Sequence, residues 1–334
     1  MKKFDVEKYM NDGATTYAKR PEIEAMADAM HKRGYTNVFL LGIGGTWAEL
    51  APLQYAMNMY SDLEVILANA AELITLGDRR LTKDSVVLTA SSSGDTKEIV
   101  DAVAWIEEQG IEVIGFTKEG TPLSKLLSHP IITAVGDCED SYLMFELFGL
   151  RLLFDRGDFP AYERFADQMK NLHTNLFRIR EEFDERADQI AKTYYKEPYN
   201  IWVGSGILWG ETYLFSMCIL EEMQWVRTKS VTSADFFHGT LELVEKDVPV
   251  FLVKGEDECR KLDQRVEDFC RKVTDKLVVF DTAEFALDGI DPEFRVLVSP
   301  MIITSILTER LASHYETYTK HNLKYRRYYR QFPY

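Results

Sequence analysis

The chain has 334 residues, a length that suits two α/β domains better than one. Apolar residues make up 46% of the sequence and charged residues 28%, which is typical of a soluble globular protein. The formal net charge of −15 argues against a nucleic-acid-binding surface across the whole molecule. It leaves room for a local basic pocket that binds an anionic metabolite.

Cysteines and apolar stretches give no sign of a metal site or a membrane segment. The four cysteines form no CxxC motif and no Cys/His pair at metal-ligand spacing. The N-terminus lacks an apolar stretch of signal-peptide length. The most apolar region, residues 207–220, is interrupted by Glu211 and is too short to span a bilayer. We therefore expect a cytoplasmic protein with no membrane contact and no bound metal.

Short β-branched runs alternate with helical patterns in the first half of the chain. This alternation predicts a parallel sheet with right-handed crossovers. The predicted strands are residues 38–41, 64–67, 85–90, 112–117 and 131–135. The predicted helices are residues 47–60, 96–109 and 122–127.

The same alternation returns in the second half, after a break at residues 155–160 and a long polar helical region. Each half opens with a strand and a glycine turn, LLGIGGTW at residues 40–47 and WVGSGILWG at 202–210, which suggests a duplication. The strands predicted there are residues 200–203, 248–253, 276–280 and 295–298. We expect a helical segment (1–30), a first domain (31–155), connecting helices (156–198), a second domain (199–318) and a tail (319–334).

A hydroxyl-rich loop, SSSGDT at residues 91–96, directly follows a predicted strand and directly precedes a helix. A helix N-terminus offers unpaired N–H groups and partial positive charge to an anion, and Gly94 lets the backbone turn tightly around it. Serine and threonine are also favoured as helix caps without any ligand. Four hydroxyls around one glycine favour a phosphate site, at the sheet edge where open α/β proteins bind ligands.

A glycine-rich turn, GIGGT at residues 42–46, follows the first strand. It departs from the G-x-G-x-x-G dinucleotide fingerprint, because Trp47 stands at the third glycine position, and no Walker-type Gly-Lys-Ser/Thr is present. In the second half, Gly206 is followed by Gly210, which misses the same fingerprint by one residue. A nucleotide cofactor is therefore disfavoured.

Both sequences resemble the sugar isomerase (SIS) domain family. SSSGDTKE at residues 91–98 is similar to the S-x-S-G-x-T-x-E/D signature whose hydroxyls hold a sugar phosphate, and GIGGT resembles the turn that opens the same domain. The resemblance spans about residues 35–334 and implies two tandem doubly wound, flavodoxin-like parallel-sheet domains of the α/β class. It implies phosphate ligands at Ser91, Ser93 and Thr96, with Ser92 also at the substrate, and a sugar lined by Gly45 and Thr46.

Two adjacent carboxylates, Glu221 and Glu222, lie in a helix predicted over residues 211–226. The neighbours of Glu222 three and four positions away are all apolar, whereas Glu221 has a polar neighbour on one side. An apolar surrounding raises the pKa of a carboxylate and suits it to proton abstraction near neutral pH. A buried structural glutamate paired with a nearby basic residue would show the same pattern.

A histidine follows in the tetrapeptide FFHG, at His238. The surrounding segment resembles the isomerase domain of glucosamine-6-phosphate synthase and the deglycases of phosphorylated Amadori compounds. In those proteins a helix glutamate precedes the histidine by sixteen residues. The same spacing here, 238 minus 222, selects Glu222 over Glu221 as the catalytic carboxylate. Thr240 stands where the family usually has the proline of H-G-P.

The last fifteen residues, KHNLKYRRYYRQFPY, carry five Lys or Arg and no acid. A flexible arm for nucleic acid and exposed stabilising charge are two interpretations, but the aromatic content is too apolar for a freely solvated arm. The R-R-Y sequence resembles the termini of fructosamine-6-phosphate deglycases, and in SIS enzymes that act on sugar phosphates the tail folds over the active site. We predict a docked tail whose Lys324, Arg326 and Arg327 supply charge to the substrate.

The resemblance implies a cofactor-free deglycase that acts on a phosphorylated Amadori compound, a ketose 6-phosphate with an amine on C1. Glu222 would remove a C1 proton to give an enaminol, and reprotonation at C2 would move the double bond to C1=N. Water would then release the amine and leave glucose 6-phosphate. His238 would open the sugar ring and transfer the second proton, which suits an imidazole with an ordinary pKa near ~6.5. The resemblance also implies a homodimer in which His238 reaches the neighbouring subunit's site.

Three alternatives stay open from the sequence. An aldose–ketose isomerase or an amino-sugar-6-phosphate deaminase would use the same scaffold and base. A non-catalytic sugar-phosphate sensor is disfavoured, because the thirty or so residues before the first strand are few for a helix-turn-helix domain. A nucleotide-dependent oxidoreductase is disfavoured by the broken glycine fingerprint. The full glucosamine-6-phosphate synthase is not expected, since no amidotransferase domain or N-terminal cysteine nucleophile is seen. The amine carried by the sugar is not identified.

Overall fold

The computed structural model describes residues 1–133 and 138–332, which divide into two compact units. The N-terminal unit comprises Val6–His173, and the C-terminal unit comprises Met1–Asp5 together with Thr174–Tyr334. Each unit contains one parallel sheet surrounded by helices. The helical region predicted over residues 156–198 is shared between the two units, because the division falls after His173.

The sheet of the N-terminal unit has five parallel strands in the order β2-β1-β3-β4-β5. This flavodoxin-like order places the carboxyl ends of β1 and β3 side by side at the point where the strand order reverses. The strands are β1 Asn37–Gly42, β2 Glu64–Asn69, β3 Ser85–Ser91, β4 Val113–Thr117 and β5 His129–Ile132. All five were predicted, although residues 134–135 of the last prediction lie outside the described residues.

Helices cover both faces of this sheet with apolar stripes. In the helix Lys97–Glu108, apolar residues recur at spacings of three and four, and this stripe is buried in the same core cluster as β1 and β3 residues. The helices are α1 Val6–Tyr17, α2 Arg20–Arg33, α3 Gly45–Tyr60, α4 Ala70–Leu76, α5 Lys97–Glu108, α6 Pro122–Leu126, α7 Cys138–Arg156 and α8 Tyr162–Gln168, with a 3₁₀ turn at Met169–Asn171. Sequence patterns predict α3, α5 and α6 but not α4 and α7.

The C-terminal unit has four parallel strands in the order β7-β6-β8-β9, which matches the order of the first four strands of the other unit. The strands are β6 Asn200–Gly204, β7 Thr228–Val231, β8 Val250–Lys254 and β9 Leu277–Asp281. Trp202 stacks on Phe251 at a ring-centroid distance of 4.5 Å and on Phe280 at 5.9 Å, one aromatic from each of three adjacent strands. The short edge strand β7 was not predicted, because four residues with little apolar alternation give a weak signal.

Helices of the C-terminal unit include two π-helical stretches. The helix α9 Leu172–Tyr194 belongs to this unit except for its first two residues. The other α-helices are α10 Trp209–Tyr213, α11 Glu222–Gln224, α12 Ser233–Phe236, α13 Arg260–Val273, α14 Arg295–Thr304 and α15 Ala312–Thr319. The π-helices are Leu214–Glu221 and Ser305–Leu311. The 3₁₀ turns are Gly206–Leu208, Thr240–Leu243, Thr282–Glu284 and Pro292–Phe294.

The strand predicted at residues 295–298 is wrong, because these residues open α14. Burial is continuous from Leu297 to Thr304, so the apolar run is longer than a strand and is accommodated by a helix buried on all sides. By length and composition, the helical run Pro292–Thr319 is the one segment of the described chain that could cross a membrane. Its most apolar window is 78% buried inside the protein, as in the core helix of a soluble protein.

Candidate active site

The switch point of the N-terminal sheet brings together the two loops singled out in the sequence. The GIGGT turn follows β1 and the SSSGDT loop follows β3, and the two strands are hydrogen-bonded neighbours. A Cβ on Gly42 would lie 2.6 Å from the Trp47 backbone, so the turn into α3 requires a glycine there. Gly45 and Thr46 are the first residues of α3 and are half-buried. Both candidate sugar-lining residues therefore adjoin the candidate phosphate loop.

The SSSGDT loop is folded around its own hydroxyls. Ser91 is buried at the end of β3, and its Oγ accepts a hydrogen bond from the Gly94 N–H at 3.0 Å and lies 3.2 Å from Thr96 Oγ1. Thr96 is the N-cap residue of α5, yet its hydroxyl makes no capping hydrogen bond to the helix. Ser92 and Ser93 are exposed. Exposed hydroxyls thus lie beside the N-terminus of α5, an arrangement suited to an anion.

The helix predicted over residues 211–226 does not have uniform α geometry. It is α-helical in α10, π-helical over Leu214–Glu221 and α-helical again in α11, and it stops at Trp225, whose φ of +57° is left-handed. The expected ring of apolar neighbours around Glu222 is wrong, because the π-helix changes the residue spacing and Trp225 leaves the helix. The Glu222 side chain is 33% exposed. A π-helix followed by a left-handed tryptophan is a strained arrangement of the kind found at functional sites.

The two adjacent carboxylates have different partners. Arg326 Nε donates to Glu222 Oε1 at 2.8 Å, and the same guanidinium donates through Nη1 to the Leu323 carbonyl at 2.7 Å. Glu221 is exposed and accepts a hydrogen bond from Thr228 Oγ1 at 2.5 Å. Glu222 is therefore the carboxylate that is linked to the C-terminal tail.

The described part of the tail docks against the segment that carries Glu222. Gln224 Nε2 donates to the His321 carbonyl at 2.8 Å, and Thr319 Oγ1 donates to Gln224 Oε1 at 2.7 Å. The Trp225 ring meets the His321 ring edge-on at a centroid distance of 4.2 Å. The Arg327 guanidinium lies over the Trp225 ring at 4.2 Å from its centroid. Hydrogen bonds and ring contacts together fix the tail beside Glu222.

A cavity of about 790 Å³ lies between this segment and the tail, and we call it the tail cavity. Its lining residues are Glu221, Glu222, Trp225, Val226, Arg227, Thr228, Arg326, Arg327, Tyr328, Tyr329 and Phe332. Two of the three basic residues predicted to supply charge, Arg326 and Arg327, therefore line the same cavity as Glu222. Lys324 is exposed and is not among the lining residues.

His238 lies elsewhere in the C-terminal unit. It is exposed in the turn between α12 and the 3₁₀ turn Thr240–Leu243, where its backbone N–H donates to the Asp235 carbonyl at 2.9 Å. It lines a second cavity of about 610 Å³, so Glu222 and His238 line different cavities. Gly239, at φ +148°, supports the turn without the proline of the family pattern.

Sequence reasoning missed two acids of the N-terminal unit whose pKa values are raised. Glu49 lies one turn after Thr46 in α3, and burial raises the pKa of its carboxyl to about 7, against a hydrogen bond with the Cys138 thiol that lowers it. Burial also raises the pKa of Glu146 well above its usual value. The sequence signal that could have found both acids is a glutamate flanked on each side by apolar residues, as Glu49 and Glu146 are. Within residues 1–133 and 138–332, no group of three or more His, Cys, Asp or Glu could hold a metal ion.

Known proteins resemble this chain over nearly its whole length. No protein-family model matches it. It is 29% identical over 318 residues to the fructosamine deglycase FrlB of Bacillus subtilis, covering 92% of this chain and 95% of the relative. It is 24% identical over 311 residues to the fructoselysine 6-phosphate deglycase of Escherichia coli, covering 92% of this chain and 90% of the relative.

A solved structure from Bacillus subtilis, of a protein assigned as a phosphosugar isomerase, superimposes with a TM-score of 0.89 at 26% identity. The superposition covers 96% of this chain and all of that one. Together with the two parallel sheets, these likenesses show that the chain has the SIS fold of the phosphosugar isomerases and is a homologue of the fructosamine deglycases.

Proposed function

We propose that the chain is a deglycase that cleaves a 6-phosphorylated fructosamine into glucose 6-phosphate and a free amine. The observation that carries the proposal is the position of Glu222, at the end of a π-helix and in a cavity lined by two tail arginines. The names of the relatives, a fructosamine deglycase and a fructoselysine 6-phosphate deglycase, support the same substrate class.

In this reaction Glu222 accepts a proton from C1 of the ketose phosphate, and an enaminol forms. Protonation at C2 moves the double bond to C1=N. Water adds to C1, the C1–N bond breaks, and the amine leaves with a proton while C1 becomes the aldehyde of glucose 6-phosphate. General acid–base steps of this kind each contribute roughly 10²–10⁴-fold in rate. Ser91, Ser92, Ser93 and Thr96 would hold the phosphate, and Gly45 and Thr46 the sugar.

We further infer that the enzyme is a homodimer and that His238 acts in the site of the neighbouring copy. Its exposure and its place in a cavity without Glu222 support this role. Glu222→Gln and His238→Asn proteins are each expected to be inactive. Mixing them should restore some activity through hybrid dimers. A monomer by light scattering at working concentration would refute the inference.

A cytoplasmic location completes the proposal. Cys270 is a buried free thiol in the structure, which suits a reducing compartment.

The test is incubation with the 6-phosphates of fructoselysine, fructose-asparagine and glucoselysine, with glucose 6-phosphate measured by a coupled dehydrogenase. We expect glucose 6-phosphate from at least one of them. Interconversion of aldose and ketose phosphates without amine release would instead support the isomerase alternative, and ammonia release from glucosamine 6-phosphate would support a deaminase. Tight binding of sugar phosphate with no turnover would support a non-catalytic sensor.

A further inference from the structure

The tail cavity is larger and more varied than a proton transfer requires. It carries three arginines, Arg227, Arg326 and Arg327, against the two carboxylates Glu221 and Glu222. Its other lining residues include four aromatic side chains and one valine. A cavity with surplus positive charge and aromatic walls suits an organic anion with a hydrocarbon portion.

The two tail arginines have different environments. Arg326 is engaged with Glu222 and with backbone carbonyls of the tail. Arg327 contacts the Trp225 ring and lies 6.0 Å from the Tyr328 centroid, and its guanidinium makes no hydrogen bond or ion pair with another residue in the described part of the chain. A guanidinium that contacts an aromatic face keeps its in-plane N–H donors for a bidentate partner.

The proposed chemistry fixes what lies next to Glu222. A base that removes the C1 proton must be close to C1, and the amine of a fructosamine is bonded to C1. The substituent on that nitrogen must therefore extend into space that adjoins Glu222. The tail cavity adjoins Glu222.

We propose that the tail cavity binds the amine-bearing half of the substrate as a glycated amino acid, with Arg327 binding its free carboxylate. The aromatic side chains of the cavity pack against the hydrocarbon chain between the nitrogen and the carboxylate. Arg327 is then the residue that determines specificity for an amino acid over a simple amine. This inference rests on the proposed deglycase function.

The carboxylate is a better match for Arg327 than the sugar phosphate. The phosphate is on C6, at the opposite end of the sugar from C1, the atom from which Glu222 removes a proton. A separate candidate place for it, with exposed hydroxyls at the N-terminus of α5, is present in the N-terminal unit. The planar guanidinium fork pairs with a carboxylate through two parallel hydrogen bonds.

The test compares two substrates that differ only in the carboxylate, the 6-phosphates of fructosylated lysine and fructosylated cadaverine, both attached through the terminal amine. The wild-type enzyme should prefer the lysine compound by ~10-fold or more in kcat/KM, as expected for a charge-assisted hydrogen bond. Arg327→Gln should abolish most of this preference through a higher KM for the lysine compound. Arg327→Lys should keep part of it, because an ammonium retains the charge but not the fork.

Arg330→Gln is the matched control, because Arg330 is an exposed tail arginine over the Tyr329 ring and is not a lining residue of the cavity. It should keep the wild-type preference. A wild-type enzyme that uses both compounds equally, or an Arg327→Gln variant that loses activity equally on both, would overturn the carboxylate assignment while leaving the deglycase function intact. Glucose 6-phosphate released from neither compound nor from any other fructosamine phosphate would refute the proposed function itself.

Discussion

Each unit has a glycine turn and a loop at the same place in its sheet, and the side chains at this place differ between the two units. In each sheet the first and third strands of the unit are neighbours, and a glycine turn after one adjoins a loop after the other. In the N-terminal unit this loop is SSSGDT, with hydroxyls and no capping bond from Thr96. In the C-terminal unit the loop after β8 contains the acidic sequence GEDE at residues 255–258.

A carboxylate of the chain itself occupies this place in the C-terminal unit. Asp257 is buried, and its Oδ2 accepts from the Ile207 N–H at 2.8 Å while its Oδ1 accepts from the Cys259 N–H at 2.7 Å. Gly206, at φ +59°, leaves the space, because a Cβ there would lie 2.2 Å from Asp257 Oδ2. The C-terminal unit thus fills with its own side chain the place that the proposed function assigns to the phosphate in the N-terminal unit.

Removing the internal carboxylate should give the largest change in stability. In Asp257→Ala, two backbone N–H groups lose their acceptor, and leaving buried donors unpaired costs about 1–3 kcal/mol each. We expect the free energy of unfolding to fall by about 2–4 kcal/mol, measured by urea denaturation with an unchanged m-value.

Glu258→Ala is the control for this change, because the Glu258 side chain is 96% exposed. It should alter the free energy of unfolding by less than ~0.5 kcal/mol. An Asp257→Ala protein as stable as this control would show that the carboxylate does not substitute for an anion.

The pH dependence of stability gives a second, smaller effect in the same unit. Burial raises the pKa of Asp263 to about 6 from its ordinary 3.8, against a hydrogen bond from Ser233 that lowers it. Because the folded state holds the proton on Asp263 more tightly than the unfolded state does, protonation of this carboxyl stabilises the fold. This stabilisation is fully present below about pH 4 and is lost as the pH rises to about 6.

Asp263→Asn should remove that part of the pH dependence. Relative to wild type, the variant should gain stability between pH 4 and pH 6, by no more than ~3 kcal/mol. Parallel unfolding curves at several pH values test this. A constant difference between the two proteins across that range would contradict a raised pKa in the native state.

The SSSGDT loop, the proposed phosphate site, should show the opposite response to mutation. Ser93 is exposed, so Ser93→Ala should leave the free energy of unfolding within ~0.5 kcal/mol of wild type. If its hydroxyl binds the phosphate, KM should rise roughly tenfold, since hydrogen bonds to charged groups contribute about 1.5–3 kcal/mol. Competitive inhibition by inorganic phosphate should weaken in parallel. Unchanged KM and inhibition would remove Ser93 from the site.

Sequence patterns predicted the sheets well, because buried parallel strands are short, β-branched runs bounded by turns. They failed at residues 295–298, where the same composition belongs to a buried helix. The residues of the candidate site stay predictions, and its local geometry could not be read from the sequence. No periodicity argument could give the π-helix before Glu222 or the left-handed Trp225, because both depend on tertiary contacts. The sequence predicted a docked tail but not the pairing of Arg326 with Glu222, which lies 104 residues earlier in the chain.

The assignment of Glu222 as the base is tested most directly by hydrogen exchange at C1 of the substrate in deuterated solvent. Glu222→Gln cannot accept a proton, so exchange should stop and kcat should fall at least ~10²-fold with KM little changed. In wild type the Glu221 carboxylate accepts a hydrogen bond from Thr228. The Glu221→Gln variant should catalyse the C1 exchange at a rate within a few-fold of wild type. Exchange that persists in Glu222→Gln and stops in Glu221→Gln would contradict the account, and exchange that persists in both would place the base elsewhere.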